Sequence, residues 1–533
     1  MNDKTKIGYQ DEESSPGLRL LKKGKKSLLR AVFSRLGLIV FLLLFQLFVV
    51  FSFIHWLREY LPHFLLLSVA FSGFMGLYLL NTDADPTAKI TWLLVIALFP
   101  ALGAPLYCYT RSNLGVRLLK KRLGQLIDST REAIPQGVEV MEELEEESSG
   151  TASLARYLRR SGCYPVYKNT AVKYFPLGED KWAELLRQLE LAERFIFLEY
   201  FIIDEGLMWG RVLEILAKKA ARGVEVRVMY DGTCEFSTLP TDYPKRLRKL
   251  GIQCKMFAPM TPFVSTYYNY RDHRKICVID GRTAFTGGVN LADEYINRRE
   301  RHGHWKDTAI MLQGEAVKSF TLMFLQMWNV DEKEPEFRRY LDCPCPPVQG
   351  ARGYVLPYGD CPLDNDKAGE RVYMDILNRA RNYVYIMSPY LILDGEMETA
   401  LKFAAERGVD VRLILPGIPD KKMPWALAKT HYTALLASGV KIYEYTPGFV
   451  HAKVFVSDDK KAVVGTINLD YRSLYHHFEC AAYLYKTDCI GDIKADVENT
   501  LARCAQVQPD FMRREKRGLK LLGFVMKALA PLM

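Results

Sequence analysis

Two stretches of this chain carry the same reactive side chains in the same order. His273–Asn290 reads HRKICVIDGRTAFTGGVN and His451–Asn468 reads HAKVFVSDDKKAVVGTIN. In each, Lys (Lys275, Lys453) stands two positions after His, and Asp (Asp280, Asp458) five positions after Lys; a glycine turn and Asn (Asn290, Asn468) follow. The interval from His to Asn is identical in the two copies, 273 to 290 and 451 to 468. Each copy offers an imidazole, a fixed cation and an amide. Face to face, the copies suit a phosphodiester, whose charge must be held while one ester bond is exchanged. One imidazole attacks phosphorus to give a phosphohistidine; the other protonates the leaving oxygen and then deprotonates the incoming alcohol. No metal or other cofactor is called for.

The expected catalytic set is His273, Lys275, Asp280, His451, Lys453 and Asp458, with Asn290 and Asn468 binding the phosphate. For the two aspartates, a capping role at the strand turn suffices. Each imidazole also needs an acceptor on its far nitrogen, and acids follow both motifs in His304-Trp305-Lys306-Asp307 and His477-Phe478-Glu479.

The duplicated pattern resembles the phospholipase D superfamily. Similarity extends to its bacterial cardiolipin synthase branch through Asn269–Lys275, Ser388-Pro389-Tyr390, Ala405–Pro416, Val464–Ser473 and the apolar segment Trp92–Tyr109. It runs from about residue 60 to 510. The resemblance implies that His273 is the nucleophile and His451 the acid/base, and that Asp307 and Glu479 orient the imidazoles. It implies phosphatidyl transfer between two phosphatidylglycerol molecules, giving cardiolipin and glycerol. Phospholipase-type hydrolysis is the alternative. His477 stands where relatives often carry Asn, and Tyr267, Tyr268 and Tyr270 are candidates for the rim of a lipid cleft.

Positioning such a site takes strands. His and Lys at alternate positions share one face of a strand, and Ile276–Ile279 and Val454–Val456 continue as apolar, β-branched sequence. Asp280-Gly281 and Asp458-Asp459 read as turns. Upstream of each motif a second repeat occurs: an apolar strand (Ala192–Asp204, Ala380–Asp394), a helix, then an RGV turn into Glu225–Asp231 or Asp410–Leu415. The fold class is therefore α/β: two related halves, 151–335 and 336–512, forming one active site behind an N-terminal transmembrane helical anchor.

Residues 1–35 form a basic tail. Apolar runs at 36–57, 61–80 and 90–109 each approach the ~20 residues that span a bilayer. Residues 111–150 read as a linker, and 513–533 as a basic amphipathic helix suited to anionic lipid. Net charge is +10, and phosphatidylglycerol and other anionic phospholipids are the expected partners; an anchored chain has no need of nucleic acid. The expected location is the cell membrane, multi-pass. Basic residues flank the apolar region on both sides, which three full spans cannot reconcile with a cytoplasmic excess of positive charge; either one run is re-entrant or interfacial, or one basic flank departs from that rule. Eleven cysteines without regular spacing read as free thiols, Cys343, Cys345 and Cys361 included, and favour a cytoplasmic catalytic region.

Overall fold

The structure, a computed structural model, describes residues 60–111, 114–258, 270–364 and 366–532, with 44, 47, 48, 51, 52 and 55. The basic tail, most of the first apolar run, and Tyr267 and Tyr268 lie outside the described residues.

Helix α1 (Leu61–Leu80) has 20 residues, carries no Asp, Glu, Lys or Arg and is predominantly apolar. It alone among the described residues is long and apolar enough to cross a bilayer. The third apolar run is not one helix: α2 (Pro86–Leu98) stops at Phe99, where φ is −130° and ψ 67°, and α3 (Pro100–Arg111) starts anew. Pro100 explains the break, because its ring disfavours helical geometry in the residue before it. At 13 residues α2 rises about 20 Å, short of the bilayer's apolar thickness. Gly103 lets α3 fold back closely, since a Cβ there would lie 2.7 Å from the Ile96 Cα. Met75, Leu79, Ile96, Ala104 and Tyr107 form the common core of the three helices. Residues read as a linker form α4 (Leu114–Thr130) and α5 (Val138–Glu147), whose Leu123 and Leu144 join the main core.

Two mixed sheets follow, built alike. The strands of the first are β1 (Ala171–Phe175), β2 (Phe195–Tyr200), β3 (Glu225–Asp231), β4 (Gln253–Phe257), β6 (Lys275–Ile279), β7 (Thr283–Gly287) and β9 (Ala309–Gln313), ordered β1-β9-β7-β6-β2-β3-β4. Those of the second are β10 (Tyr354–Asp360), β11 (Tyr383–Met387), β12 (Asp410–Pro416), β13 (Lys441–Tyr445), β15 (Val454–Ser457), β16 (Lys461–Gly465), β17 (His477–Tyr485) and β18 (Cys504–Gln506), ordered β10-β17-β16-β15-β11-β12-β13-β18. Apart from β18, the orders correspond strand for strand. Parallel pairs β2–β3 and β11–β12 are connected by α6 (Leu207–Ala221) and α7 (Gly395–Glu406). Gly223 and Gly408 of the RGV turns have φ +88° and +90°, ending each helix as only glycine readily does. The α/β expectation holds, and one apolar core runs through both halves.

Short strands stitch the halves together. β5 (Arg271-Asp272) pairs with the start of β17, and β8 (His304–Lys306) pairs with β14 (Gly448–Val450). Near the C-terminus, α9 (Arg517–Leu529) lies on α8 (Lys422–Ala437); a Cβ on Gly523 would meet the Ala426 carbonyl at 2.5 Å. The Thr91 hydroxyl donates to the Ala528 carbonyl at 2.9 Å, tying α9 to α2.

Candidate active site

The short strands fix where the reactive side chains meet. His273 follows β5 directly and Glu479 lies two residues into its partner β17; His451 follows β14 and Asp307 follows its partner β8. The two His–acid pairs are therefore crossed, each carboxylate serving the histidine of the other half. His273 Nδ1 lies 2.9 and 3.0 Å from the two Glu479 oxygens, and His451 Nδ1 lies 2.6 Å from Asp307 Oδ2. All four side chains are buried. With Nδ1 engaged, Nε2 is the atom each imidazole has left for chemistry.

The lysines are buried beside their histidines. Lys275 Nζ donates to the His273 carbonyl at 2.5 Å, and Lys453 Nζ to that of His451. Burial pushes Lys275 down to about 8 and Lys453 to about 7, Lys453 being lowered further by the charge of Lys275. Lys275 also depresses His451, so charge from the first half reaches the acid/base candidate of the second. Twin cations in one dry cleft are costly without an anion between them. That cost favours phosphate binding.

The two His–acid pairs differ electrostatically. Burial raises Asp307 to about 7, against the pull of Lys453 and the Thr308 N–H. Burial also acts upward on Glu479, but His273 outweighs it and holds the carboxyl far below its usual range. Thr466 adds an O–H donated to Glu479. Burial lowers both imidazoles well below the usual histidine range, opposed at His273 by the charge of Glu479. His451 Nδ1 has Asp307 at 2.6 Å and Lys453 Nζ at 2.9 Å, a trio along which one proton can shift.

The amides are less free than their types suggested. Asn290 Oδ1 accepts from the Ile202 N–H at 3.1 Å and its Nδ2 donates to the Tyr295 hydroxyl at 2.7 Å, whose ring packs 5.4 Å from that of His451. Asn468 is buried with Oδ1 unpartnered. Asp280 and Asp458 stand apart from the cleft, which corrects their place in the catalytic set. Asp280 has φ 54° at the far end of β6 from Lys275, and its carboxylate accepts the N–H groups of Glu193, Arg194 and Phe195 at 2.8 Å each. Asp458 does the same for Arg381, Asn382 and Tyr383. Both are strand-start caps.

Several neighbours have no role assigned by the sequence: that of His477 stays open, and nothing singles out Phe201, Trp305 or Phe449. Phe201 and His477 flank His273 at 4.9 and 5.3 Å between ring centroids, and Trp305 and Phe449 flank His451 at 5.5 and 6.0 Å. His477 is buried, its Nδ1 3.6 Å from Glu479, beyond a hydrogen bond. His273, His477 and Glu479 present donor atoms within 4.8 Å of one another, a set that could hold a cation. Arg274, between the motif His and Lys, turns to the opposite face and pairs with buried Glu199 and Asp272; its twin is Ala452, so no repeat signal marked it. The eleven cysteines are all free.

A pair of like-folded halves with crossed His–acid pairs and a buried lysine beside each histidine defines the phospholipase D-like class. Residues 185–328 and 373–501, about half the chain, match the family described as cardiolipin synthase, PLD-like domain. A Streptococcus mutans protein described as uncharacterized is 60% identical over 457 residues, covering 86% of this chain and 99% of its own. Cardiolipin synthases of Alkalihalophilus pseudofirmus and Halalkalibacterium halodurans are each 32% identical, covering 86% of this chain and 92% of theirs. The crystal structure of a Haemophilus influenzae phosphatidylserine synthase shares the fold, with a TM-score of 0.55 at 12% identity, over 68% of this chain and 95% of that one. The chain belongs to the cardiolipin synthase family of phospholipase D-like proteins.

Proposed function

We propose that this protein is a phosphatidyltransferase that joins two phosphatidylglycerol molecules into cardiolipin and releases glycerol. The observation carrying this reading is the crossed His–carboxylate geometry with both lysines buried beside it, in a chain aligned over 86% of its length with cardiolipin synthases.

His273 Nε2 attacks phosphorus and the P–O bond to the glycerol headgroup breaks, His451 supplying the proton. The phosphatidyl group stays on His273. The hydroxyl of a second phosphatidylglycerol then gives its proton to His451 and its oxygen to phosphorus, and the P–N bond electrons return to His273. Lys275 and Lys453 hold the phosphoryl oxygens. Supporting this division of labour, Glu479 is ionised behind His273, while the Asp307 side keeps a proton near neutrality.

Membrane attachment belongs to the same reading: among the described residues α1 crosses, the broken pair α2–α3 is re-entrant, and the catalytic halves face the cytoplasm. Labelling single-cysteine variants that retain partly exposed Cys345 or Cys504 with an impermeant reagent tests sidedness, as buried Cys277 cannot. Labelling in intact cells contradicts the cytoplasmic placement.

The activity test uses purified protein and labelled phosphatidylglycerol in mixed micelles. Cardiolipin with equimolar glycerol is expected. Phosphatidic acid without cardiolipin replaces transfer by hydrolysis, in which water reaches the phosphohistidine.

A further inference from the structure

His477 is a buried imidazole that the chemistry described so far does not use. It opens β17 and is 8% exposed, and among the described residues neither Nδ1 nor Nε2 has a hydrogen-bond partner. A buried imidazole with both nitrogens unsatisfied carries a cost, which a ligand bonded to either one removes. Its surroundings supply the rest of a site. His477 Nδ1 lies 3.6 Å from Glu479 Oε1, and that same oxygen lies 2.9 Å from His273 Nδ1. Two imidazoles and a carboxylate thus present donor atoms within 4.8 Å of one another. Ligands held ~2.0–2.2 Å from a tetrahedral zinc ion stand roughly 3.4 Å apart, and the separations of 2.9 and 3.6 Å bracket that spacing. The second histidine has different company. Trp305 stands two residues before Asp307 as His477 stands two before Glu479, and its ring is 5.5 Å from that of His451 where His477 is 5.3 Å from His273. An indole is a donor only, and the Lys453 ammonium lies 2.9 Å from His451 Nδ1. Among the described residues the three-donor set therefore forms around His273 and not around His451.

We infer that His273, His477 and Glu479 form a site for a divalent transition-metal ion of the zinc class, and that the bound ion silences His273. The silencing rests on His273 being the nucleophile of the function proposed above; the binding does not. Two imidazole nitrogens select zinc, copper or nickel over magnesium and calcium, which take oxygen ligands. Ligation puts the ion where the proton between His273 Nδ1 and Glu479 stood. That proton leaves to solvent, the Nδ1 lone pair and a Glu479 oxygen bind the metal, and His477 Nδ1 makes the third bond. Water takes the fourth position, and nothing is oxidised or reduced. The consequence for reactivity is electrostatic. As Nε2 attacks phosphorus the ring becomes cationic, and a carboxylate beyond an Nδ1–H lowers the cost of that charge. A dication in the proton's place raises it, in a cleft that already holds two lysines. Lys275, hydrogen-bonded to the His273 carbonyl at 2.5 Å, repels the ion, which keeps the affinity below that of a structural zinc site and the block reversible.

Cobalt(II) and zinc, added alone to purified full-length protein stripped with a chelator, are the probes. Wild type should bind one equivalent of cobalt with the visible absorption of four-coordinate nitrogen and oxygen ligation. The near-ultraviolet bands of cobalt–thiolate bonds should be absent, which separates this site from the eleven free cysteines. Zinc should displace the cobalt. His477→Asn and His477→Phe should weaken that binding about a hundredfold or more, since one of three protein ligands is gone, while urea denaturation without metal shows both variants folded. Turnover of labelled phosphatidylglycerol in mixed micelles is then compared with and without zinc for each protein. Saturating zinc should suppress wild type about a hundredfold or more and leave His477→Asn within about twofold of its own zinc-free rate. No bound metal in wild type, or equal binding by wild type and both variants, overturns the site. One bound equivalent with turnover unchanged overturns the silencing. Wild type that makes no cardiolipin without zinc overturns the transfer reading instead, and the binding result still decides the site.

Discussion

Thr466 and Gly288 occupy equivalent places in the two motif copies, and they give the two carboxylates different hydrogen-bond partners. The Thr466 hydroxyl donates to Glu479. A Cβ at Gly288 would lie 2.0 Å from Asp307 Oδ1, so the first copy has no room for a hydroxyl-bearing side chain. Thr466→Val should therefore weaken the ionised Glu479 behind His273 and reduce kcat about ten- to hundredfold, the value of a hydrogen bond to a charged group. KM should change much less, as steady-state kinetics would register; a purely structural defect would move both. The cleft also sets a pH dependence. Lys453 and Asp307 lose protons near pH 7 and Lys275 near pH 8. Each loss removes positive charge or a transferable proton, so kcat/KM should fall as pH climbs through that window. A rate still rising above it would contradict the assignment of these groups to the reaction.

At the scale of elements, the signature aspartates belong to folding. Asp280→Ala strips three N–H groups at the start of β2 of their acceptor and should cost about 2–4 kcal/mol in urea denaturation. Asp458→Ala should cost about 1 kcal/mol, because Asp458 is only half-buried where Asp280 is buried, so water more readily replaces it. Turns, strands and the two-residue His/Lys register were legible because alternation and turn chemistry are local. The crossing was not: a repeat says that each histidine needs an acid, but not that β8 pairs with β14 and β5 with β17 across the halves. Gly448→Val tests that stitch, since its Cβ would meet the His304 carbonyl at 2.3 Å. Prising β14 from β8 should separate Asp307 from His451 and abolish turnover, while urea denaturation still shows a folded protein. The broken third run, by contrast, was readable from Pro100, whose effect on the preceding residue outweighs a hydrophobicity count that sees only apolar letters.

At the scale of the whole molecule, two sheets of matching strand order share a core that runs between the halves and supply side chains to one cleft, so neither half is complete alone. The surface beside the second half is amphipathic: α9 exposes Leu521, Phe524 and Val525 and is tied to α2 through Thr91. Leu521→Asp with Phe524→Asp should lower partition onto anionic vesicles about tenfold or more, given the ~1.5–3 kcal/mol each side chain gains on burial, with co-sedimentation as the readout. The claim on which the rest stands is that both half-sites act on one phosphorus and that only His273 becomes covalently loaded. It is tested most directly by incubating wild type, His273→Ala and His451→Ala with a p-nitrophenyl phosphatidyl ester, whose leaving group needs no proton, and mapping adducts by mass spectrometry. One phosphatidyl group on His273 is expected to accumulate in His451→Ala, and none on any residue in His273→Ala. An adduct on His451, or an active His273→Ala protein, would contradict it.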